Sequence, residues 1–180
     1  MLDACCGTGD LAIAARAAGG GEIVGLDFSP RMLERARRKA PAIEWIEGDL
    51  LALPFEDGSF GAATVGFGVR NVTDLPLALA ELRRVLEPGG RVAILEITTP
   101  RGVLAPFYRV WFDRIVPLIG KLLKGGAAYS YLPASVRRFP PPVELAELMR
   151  AARFEGVEWR TFAGGIVALH TGTLNNRRGS

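Results

Sequence analysis

Leu2-Asp3-Ala4-Cys5-Cys6-Gly7-Thr8-Gly9-Asp10-Leu11, near the start of the chain, is the stretch that decides the fold class. An acidic residue ends a short apolar run, two glycines follow, and a helix-prone segment covers residues 11–18. This order predicts a strand, a tight turn and a helix N-terminus. Glycines let a ligand approach the backbone closely, and the free N–H groups of a first helical turn attract an anion or another acceptor. We therefore expect a ligand at this turn.

The turn alone leaves the type of ligand open. Gly7-Thr8-Gly9-Asp10-Leu11-Ala12 fits the G-x-G-x-x-A form of the dinucleotide fingerprint, and Asp27 stands near the spacing of a ribose-binding carboxylate. A nicotinamide-dependent oxidoreductase is therefore one alternative, and a non-catalytic binding module is another. Asp10 disfavours a pyrophosphate, because two negative charges would lie side by side, whereas a zwitterionic ligand would tolerate it.

Length and composition favour a single globular domain over residues 1–180, with an apolar fraction of 49%. The net charge is only +3 and the arginines alternate with acidic residues, so we expect no nucleic-acid partner. The two cysteines are adjacent and form neither a redox motif nor a disulfide framework, which indicates a reducing cytoplasm. Because the chain has a single histidine, no zinc or iron site is expected.

Strand-like and helix-like segments alternate along the chain. After the first pair, strands are predicted over residues 22–26, 43–46, 62–67, 91–97, 156–162 and 166–171. Helices are predicted over residues 30–39, 75–86 and 143–152. The alternation predicts an α/β fold with a mainly parallel sheet, helices on both faces and a closing antiparallel pair of strands.

Acidic residues follow two of the predicted strands on the ligand side of this sheet. Ligands of such sheets bind beyond the carboxyl ends of the strands, where Gly7, Asp27, Asp49 and Phe67 fall. A carboxylate at position 27 suits two ribose hydroxyls, because an ionised carboxylate offers only acceptors. Asp49, beside Leu50, is placed to accept a hydrogen bond from an adenine amino group. The alternative is that both carboxylates only cap turns.

Six strings of sequence, spread over nearly the whole chain, carry a resemblance to a known family. They are residues 2–12, Leu53-Pro54-Phe55, Phe67-Gly68-Val69-Arg70-Asn71-Val72-Thr73-Asp74, Arg84-Val85-Leu86-Glu87-Pro88-Gly89-Gly90, Tyr129-Ser130-Tyr131-Leu132-Pro133-Ala134-Ser135 and Gly164-Gly165-Ile166-Val167-Ala168-Leu169-His170-Thr171-Gly172. In them the chain resembles the class I S-adenosylmethionine-dependent methyltransferases. More closely, it is similar to the UbiE-type C-methyltransferases, which methylate the quinol ring of menaquinone and ubiquinone precursors.

The resemblance implies a Rossmann-like sheet of seven strands, mainly parallel with an antiparallel last strand, and S-adenosyl-L-methionine as the cofactor. It also implies a set of donor-binding residues: Asp3, Gly7, Thr8, Gly9, Asp27, Phe28, Met32, Asp49, Leu50, Gly66 and Phe67. Gly66 departs from the family, which often has Ser there. The implied reaction is C-methylation of a quinol ring, first of all demethylmenaquinol to menaquinol. Another small-molecule methyltransferase is the alternative.

The chemistry of such a reaction suggests roles for four further residues. A hydroquinone ring carbon becomes nucleophilic when the neighbouring hydroxyl loses its proton. Arg70 and Asn71 would support the oxyanion, because a guanidinium and an amide both donate hydrogen bonds to developing negative charge. His170, at the end of the last predicted strand, has the intrinsic pKa of a general base, and Tyr129 could align the ring. Packing or turn-forming roles remain the alternatives.

Two further expectations concern the acceptor side and the beginning of the chain. The insertion over residues 100–135 contains an apolar, Pro-interrupted segment, 104–123, that suits either a buried cap or a wall for a polyprenyl tail. Its basic residues would contact anionic lipid at the inner membrane face, and a homodimer is compatible with the sequence. Family members carry a few dozen residues before the glycine turn, so we expect this shorter start to weaken stability and donor affinity.

Overall fold

The computed structural model describes residues 1–98, 136 and 138–175. Within these residues the strands are β1 Leu2–Ala4, β2 Val24–Asp27, β3 Glu44–Glu47, β4 Phe60–Gly66, β5 Leu86–Ile97, β6 Phe154–Phe162 and β7 Val167–Leu174. The helices are α1 Asp10–Ala17, α2 Pro30–Lys39, α3 Leu75–Val85 and α4 Pro142–Ala151. Tyr129 and the predicted insertion lie outside the described residues.

All seven strands form one sheet in the order β3-β2-β1-β4-β5-β7-β6. Strands β1 to β5 pair in parallel, and β7 runs antiparallel between β5 and β6. This confirms the expected mainly parallel sheet with an antiparallel last strand. The strand order changes direction between β1 and β4, which is the position where open α/β sheets bind their ligands.

Helices cover both faces of the sheet. Trp45 and Ile46 are neighbours on β3, so their side chains point to opposite faces. Trp45 packs in a cluster with Ala12 of α1 and Leu33 of α2, whereas Ile46 packs against a larger cluster that includes residues of α3 and α4. The two clusters are therefore the two sides of the core. Among the residues that the structure describes, no helix combines the length and apolarity needed to cross a membrane.

The junction of α3 and β5 differs from the sequence-based prediction. The strand begins at Leu86 instead of residue 91, because Leu86 already pairs with Phe60 of β4. The next pair is Ala62 with Arg91, so residues 87–90 form an irregularity in the ladder. Pro88 has no N–H to donate, and Gly89 adopts a φ of 82°, a left-handed conformation that favours glycine. The turn at Pro88, Gly89 and Gly90 was correctly predicted, but it interrupts the strand instead of preceding it.

Trp45 explains two glycines that lie far apart in the sequence. A Cβ added at Gly9, in the glycine turn, would lie 2.3 Å from the indole, and one added at Gly25 on β2 would also lie 2.3 Å from it. The indole N–H donates to the Ala40 carbonyl oxygen at 2.9 Å, which fixes the ring in place. Gly9 and Gly25 are therefore required by the packing of one aromatic ring under the turn.

We predict that Gly25→Ala destabilises the protein by about 1–3 kcal/mol, the usual cost of overpacking a core. The matched control is Gly61→Ala on β4, where the nearest atom to an added Cβ is Oε1 of Glu87 at 2.9 Å, the end of a flexible side chain. Urea unfolding of both variants measures the difference. Equal unfolding free energies for the two variants would contradict the role assigned to Trp45.

Candidate functional site

A cleft of about 690 Å³ opens at the carboxyl ends of β1, β2 and β4, at the point where the strand order reverses. Its size lies in the range of small-molecule sites. It is lined by the predicted site residues Gly7, Asp27, Phe28, Met32, Asp49, Leu50, Gly66, Phe67, Arg70 and Asn71. These residues come from four separate parts of the chain, and the fold brings them to one place. Cys5, which the sequence analysis did not select, lines the same cleft.

The glycine turn after β1 is built from residues in left-handed conformations. Cys5, Gly7 and Gly9 have φ values of 54°, 55° and 82°. The N–H of Gly9 donates to the carbonyl oxygen of Cys6 at 2.9 Å and closes the turn. A Cβ at Gly7 would meet no atom within 4 Å, so the backbone here faces open space in the cleft. Gly7 is thus the glycine that a ligand could approach, while Gly9 serves the packing of Trp45.

Asp27 connects the end of β2 to the glycine turn. One carboxylate oxygen accepts a hydrogen bond from the Gly7 N–H at 2.8 Å, and the other accepts from the Ser29 N–H at 2.9 Å. The residue is only 6% exposed, so these bonds fix its orientation. A carboxylate has about four acceptor positions, and two amide donors leave capacity for two further donors. Asp27 therefore caps a turn and can still receive two hydroxyl groups from the cleft.

Asp49 also combines a cap with a position in the cleft. Its Oδ1 accepts from the Leu51 N–H at 2.9 Å, which orders the turn after β3. Leu50 between them is 2% exposed and lines the cleft with its neighbours. On the same side, Phe28 is 73% exposed and Met32 is 40% exposed. Large exposed apolar groups beside a cleft that also contains carboxylates are typical of a binding surface for a flat, partly apolar ligand.

Arg70 lies on the short helical turn Val69–Asn71 after β4, where it forms a buried ion pair with Glu96 of β5. Its Nη1 donates to Oε1 of Glu96 at 2.6 Å, and the two side chains are 8% and 1% exposed. The same Nη1 donates to the Phe67 carbonyl oxygen. Burial raises the pKa of Glu96, and the positive charge of Arg70 opposes that rise. Asn71 completes the turn, its N–H donating to the Gly68 carbonyl oxygen at 3.0 Å.

Glu96 is a site-related residue that the sequence analysis missed. The signal was present in the predicted strand over residues 91–97. Val92, Ile94 and Glu96 alternate along β5 and all three are buried. Alternating residues share one face of a strand, so a carboxylate in phase with two core residues requires a charged or hydrogen-bonding partner.

Four of the predicted site residues do not line the cleft, and Tyr129 lies outside the described part of the chain. Gly9 contacts Trp45, as described above. The Thr8 hydroxyl donates to Asp10 at 2.6 Å and accepts from Lys39 at 2.9 Å, on an exposed surface. Asp3 is 1% exposed and accepts from the Thr64 hydroxyl at 2.9 Å; burial raises its pKa to about 6.

His170 is the fourth of these residues. Its Nε2 lies 2.8 Å from the Pro142 carbonyl oxygen, and the ring is 1% exposed. The residue pairs with Ile94 in the middle of the β5–β7 ladder. Because β7 is antiparallel, its carboxyl end lies at the sheet edge opposite the cleft. The structure thus does not bring this candidate base to the other site residues.

Comparisons with known proteins are consistent with one another. A family model described as the ubiE/COQ5 methyltransferase family matches residues 1–174. The chain is 48% identical to the demethylmenaquinone methyltransferase of Thermus thermophilus, over 96% of this chain and 81% of that protein. It is 44% identical to the protein of the same name from Staphylococcus aureus strain Newman, over 95% of this chain and 74% of that protein.

Solved structures show the same fold at low sequence identity. An S-adenosylmethionine-dependent methyltransferase from Thermotoga maritima, described as a possible histamine N-methyltransferase, has a TM-score of 0.71 at 23% identity, covering 96% of this chain and 80% of that chain. Phosphoethanolamine N-methyltransferase 2 of Haemonchus contortus, solved with S-adenosyl-L-methionine, has a TM-score of 0.73 at 14% identity, over 97% of this chain and 48% of that one. These two similarities support the fold assignment and nothing beyond it.

His170 yields a prediction on stability. Burial lowers its pKa below the ordinary value of 6.5, so the unfolded chain binds a proton first as the pH falls. The free energy of unfolding should therefore decrease below pH 6.5, by up to about 1.4 kcal/mol per pH unit from this residue. Asp3 has the opposite effect, because its pKa is raised to about 6 in the folded protein from 3.8 in the unfolded chain. Its contribution to the free energy of unfolding increases as the pH falls through that range.

The matched variant is His170→Gln, whose amide can donate to the Pro142 carbonyl but does not titrate. Urea unfolding of both proteins between pH 5 and 7.5 should give a less positive slope of stability against pH for the variant. Equal slopes would mean that His170 has the same pKa in the folded and the unfolded protein.

Proposed function

Because the chain belongs to the ubiE/COQ5 methyltransferase family, we propose that it transfers a methyl group from S-adenosyl-L-methionine to a ring carbon of demethylmenaquinol, giving menaquinol. The family match confirms the resemblance that the sequence motifs indicated. One structural observation carries the donor assignment: Gly7, Asp27 and Asp49 line a single cleft at the reversal of the strand order.

The donor end of the cleft fits an adenosyl group. Asp27 would receive the two ribose hydroxyls with its remaining acceptor positions, while Gly7 leaves room for the ligand to approach the turn. Leu50 and Phe28 would contact the adenine ring, and Asp49 would accept from its amino group. When bound, S-adenosylmethionine supplies the electrophilic methyl group. A Ser in place of Gly66 would put its Cβ 3.3 Å from the end of the Leu11 side chain, so Leu11 would have to shift by a few tenths of an ångström.

A nicotinamide dinucleotide is the competing ligand. The charge of Asp10, which was expected to disfavour its pyrophosphate, does not exclude it. The carboxylate of Asp10 lies 2.8 Å from the Lys39 ammonium group, and this pairing lowers the pKa of Asp10. Its charge is therefore compensated and lies outside the cleft. What favours the adenosyl sulfonium is the second carboxylate, Asp49, in the same cleft, together with the family to which the chain belongs.

Arg70 and Asn71 line the other end of the cleft, where we place the quinol ring. Loss of the hydroxyl proton leaves an oxyanion that pushes electron density onto the carbon to be methylated. A guanidinium in a partly buried site stabilises that charge strongly, because little water screens it. Arg70 is thus proposed to hold the oxyanion, and Asn71 to donate a further hydrogen bond.

The proton itself is proposed to leave to water in the open cleft. Arg70 cannot act as a base at neutral pH. His170 is buried away from the cleft. Burial raises the pKa of the Cys5 thiol to about 12, so this cleft residue remains neutral and is not poised to exchange protons. Arg70 would favour proton loss by stabilising its product, and in-line positioning of the two substrates would supply much of the remaining rate enhancement.

The prenyl tail and the membrane belong to the same proposal. Phe67 is 42% exposed at the cleft and offers apolar surface to the first isoprene units. The apolar segment over residues 104–123 lies outside the described residues, and its composition suits contact with the same tail. A polyprenylated substrate resides in a lipid bilayer, so we propose that the protein works at the inner membrane face, and that residues 1–180 act as one domain.

Transfer of a labelled methyl group tests the activity. The purified chain is incubated with trideuteromethyl S-adenosylmethionine and demethylmenaquinol in detergent micelles, with a reductant to keep the quinol reduced. Mass spectrometry should detect menaquinone that carries three deuterium atoms. Benzoquinol and a non-quinoid acceptor are run in parallel. Transfer to benzoquinol alone would change the proposed acceptor to a benzoquinol. Transfer to the non-quinoid acceptor alone would contradict the proposed function.

The donor site is tested by Asp27→Asn, which keeps the shape of the side chain but replaces one acceptor oxygen by a donor. We expect binding of S-adenosylmethionine to weaken about 10- to 100-fold, since hydrogen bonds to a charged group contribute about 1.5–3 kcal/mol. Asp10→Asn is the matched control, because its carboxylate is exposed and outside the cleft. Isothermal titration calorimetry with S-adenosylmethionine and with NAD measures both. Equal losses in the two variants would refute the assignment of the ribose site.

A further inference from the structure

We propose that Glu96 is a positioning residue for the acceptor end of the cleft: its buried carboxylate fixes both the backbone and the guanidinium of Arg70. The inference rests on the function proposed above, because it assigns a task to Arg70. Glu96 itself does not line the cleft, so it acts through Arg70 and has no contact with substrate.

Glu96 binds Arg70 through two different groups of that residue. Its Oε1 accepts from the Arg70 Nη1 at 2.6 Å, and its Oε2 accepts from the Arg70 backbone N–H at 3.2 Å. A third donor, the N–H of Ile97, lies 2.8 Å from Oε1 and orients the carboxylate on β5. The side chain and the main chain of Arg70 are therefore held from the same anchor.

The turn that carries Arg70 is itself attached to β5. Phe67 has a φ of 56°, a conformation that is unfavourable for a bulky residue and must be held by its surroundings. The Phe67 N–H donates to the Leu95 carbonyl oxygen at 2.8 Å, and its own carbonyl accepts from the Arg70 guanidinium. The turn is thus attached to β5 at two adjacent residues, Leu95 and Glu96. Phe67 and Arg70 both line the cleft, so this attachment sets the shape of its wall.

Arg70 and Glu96 form an ion pair at a place where apolar residues could also pack. With side chains 1% and 8% exposed, both charges are removed from water, and a buried ion pair stabilises a fold no better than apolar residues of the same size. Stability alone therefore does not explain the pair. A cleft that must present a fixed guanidinium does explain it, because a partner carboxylate holds the planar group in one orientation.

The test compares Glu96→Gln with a second, more exposed glutamate–arginine pair, neither member of which lines the cleft. Glu81 of α3 lies 2.7 Å from the Nε of Arg84, and that arginine also donates to the Leu53 carbonyl at 2.9 Å. Glu81→Gln therefore removes the charge from a similar loop-holding pair that does not line the cleft. Both variants are assayed for methyl transfer, for donor binding by calorimetry and for thermal stability.

Positioning predicts that Glu96→Gln lowers kcat about 10- to 100-fold and leaves the dissociation constant of S-adenosylmethionine within twofold of the wild-type value. Glu81→Gln should lower stability only. In the double variant Glu96→Gln, Arg70→Ala, the kcat should equal that of Arg70→Ala alone, because Glu96 has no task once Arg70 is gone. Multiplicative losses in the double variant would overturn the proposal, as would a wild-type kcat in Glu96→Gln.

Hydrogen–deuterium exchange gives a readout that does not depend on activity. The Arg70 N–H donates to the Glu96 carboxylate, so its exchange should accelerate at least tenfold in Glu96→Gln and remain unchanged in Glu81→Gln. Unchanged exchange at Arg70 would contradict the positioning role even if activity fell. The proposed function is judged separately: if the wild-type protein transfers no methyl group to any quinol, that function fails, whereas the exchange result still tests the anchoring.

Discussion

The hydrogen bond from the Gly7 N–H to the Asp27 carboxylate, 2.8 Å long, is the constraint on which the rest of the site depends. It joins the turn after β1 to the end of β2, which are adjacent only because the two strands pair in parallel. Without it the carboxylate would be held only by the Ser29 N–H, and the glycine turn would lose its hydrogen bond to β2. Asp27 also lines the cleft and keeps spare acceptor positions beside this structural contact.

A second acidic residue performs a similar task on the other side of the strand reversal. Glu96 attaches the turn after β4 to β5, as Asp27 attaches the turn after β1 to β2. Each carboxylate accepts one backbone N–H of the turn that it holds, from Gly7 in one case and from Arg70 in the other. Both turns contain residues in left-handed conformations, among them Gly7 and Phe67. The cleft thus lies between two turns that are each held by a buried acid, and both walls are fixed before any ligand binds.

Much of the fold followed from local patterns in the sequence. The order of strands and helices, the two glycines and the carboxylates after β2 and β3 were recognisable, because strand ends of a parallel sheet share one edge. Arg70 and Asn71 were also predicted as site residues, and both line the cleft. The β5 boundary was wrong by five residues, because pairing of Leu86 with Phe60 depends on a distant strand that no local pattern reveals.

Other features of the site required three-dimensional information. His170 was selected as lying at a strand end, but an antiparallel strand ends at the edge opposite the cleft, and the side chain packs near Pro142 instead. The direction of the Thr8 hydroxyl, toward Asp10 and Lys39, depends on the backbone of the turn. Gly9 looked like a ligand-contacting glycine, whereas its environment is the indole of Trp45, thirty-six positions further along the chain.

The most direct test of the central claim is a crystal structure of the protein with S-adenosylhomocysteine. We expect both ribose hydroxyls within about 2.5–3.0 Å of the Asp27 carboxylate oxygens, with the Gly7 hydrogen bond still in place. The adenine ring should lie beside Leu50, with its amino group toward Asp49. A ligand bound elsewhere, or a ribose that does not contact Asp27, would contradict the account.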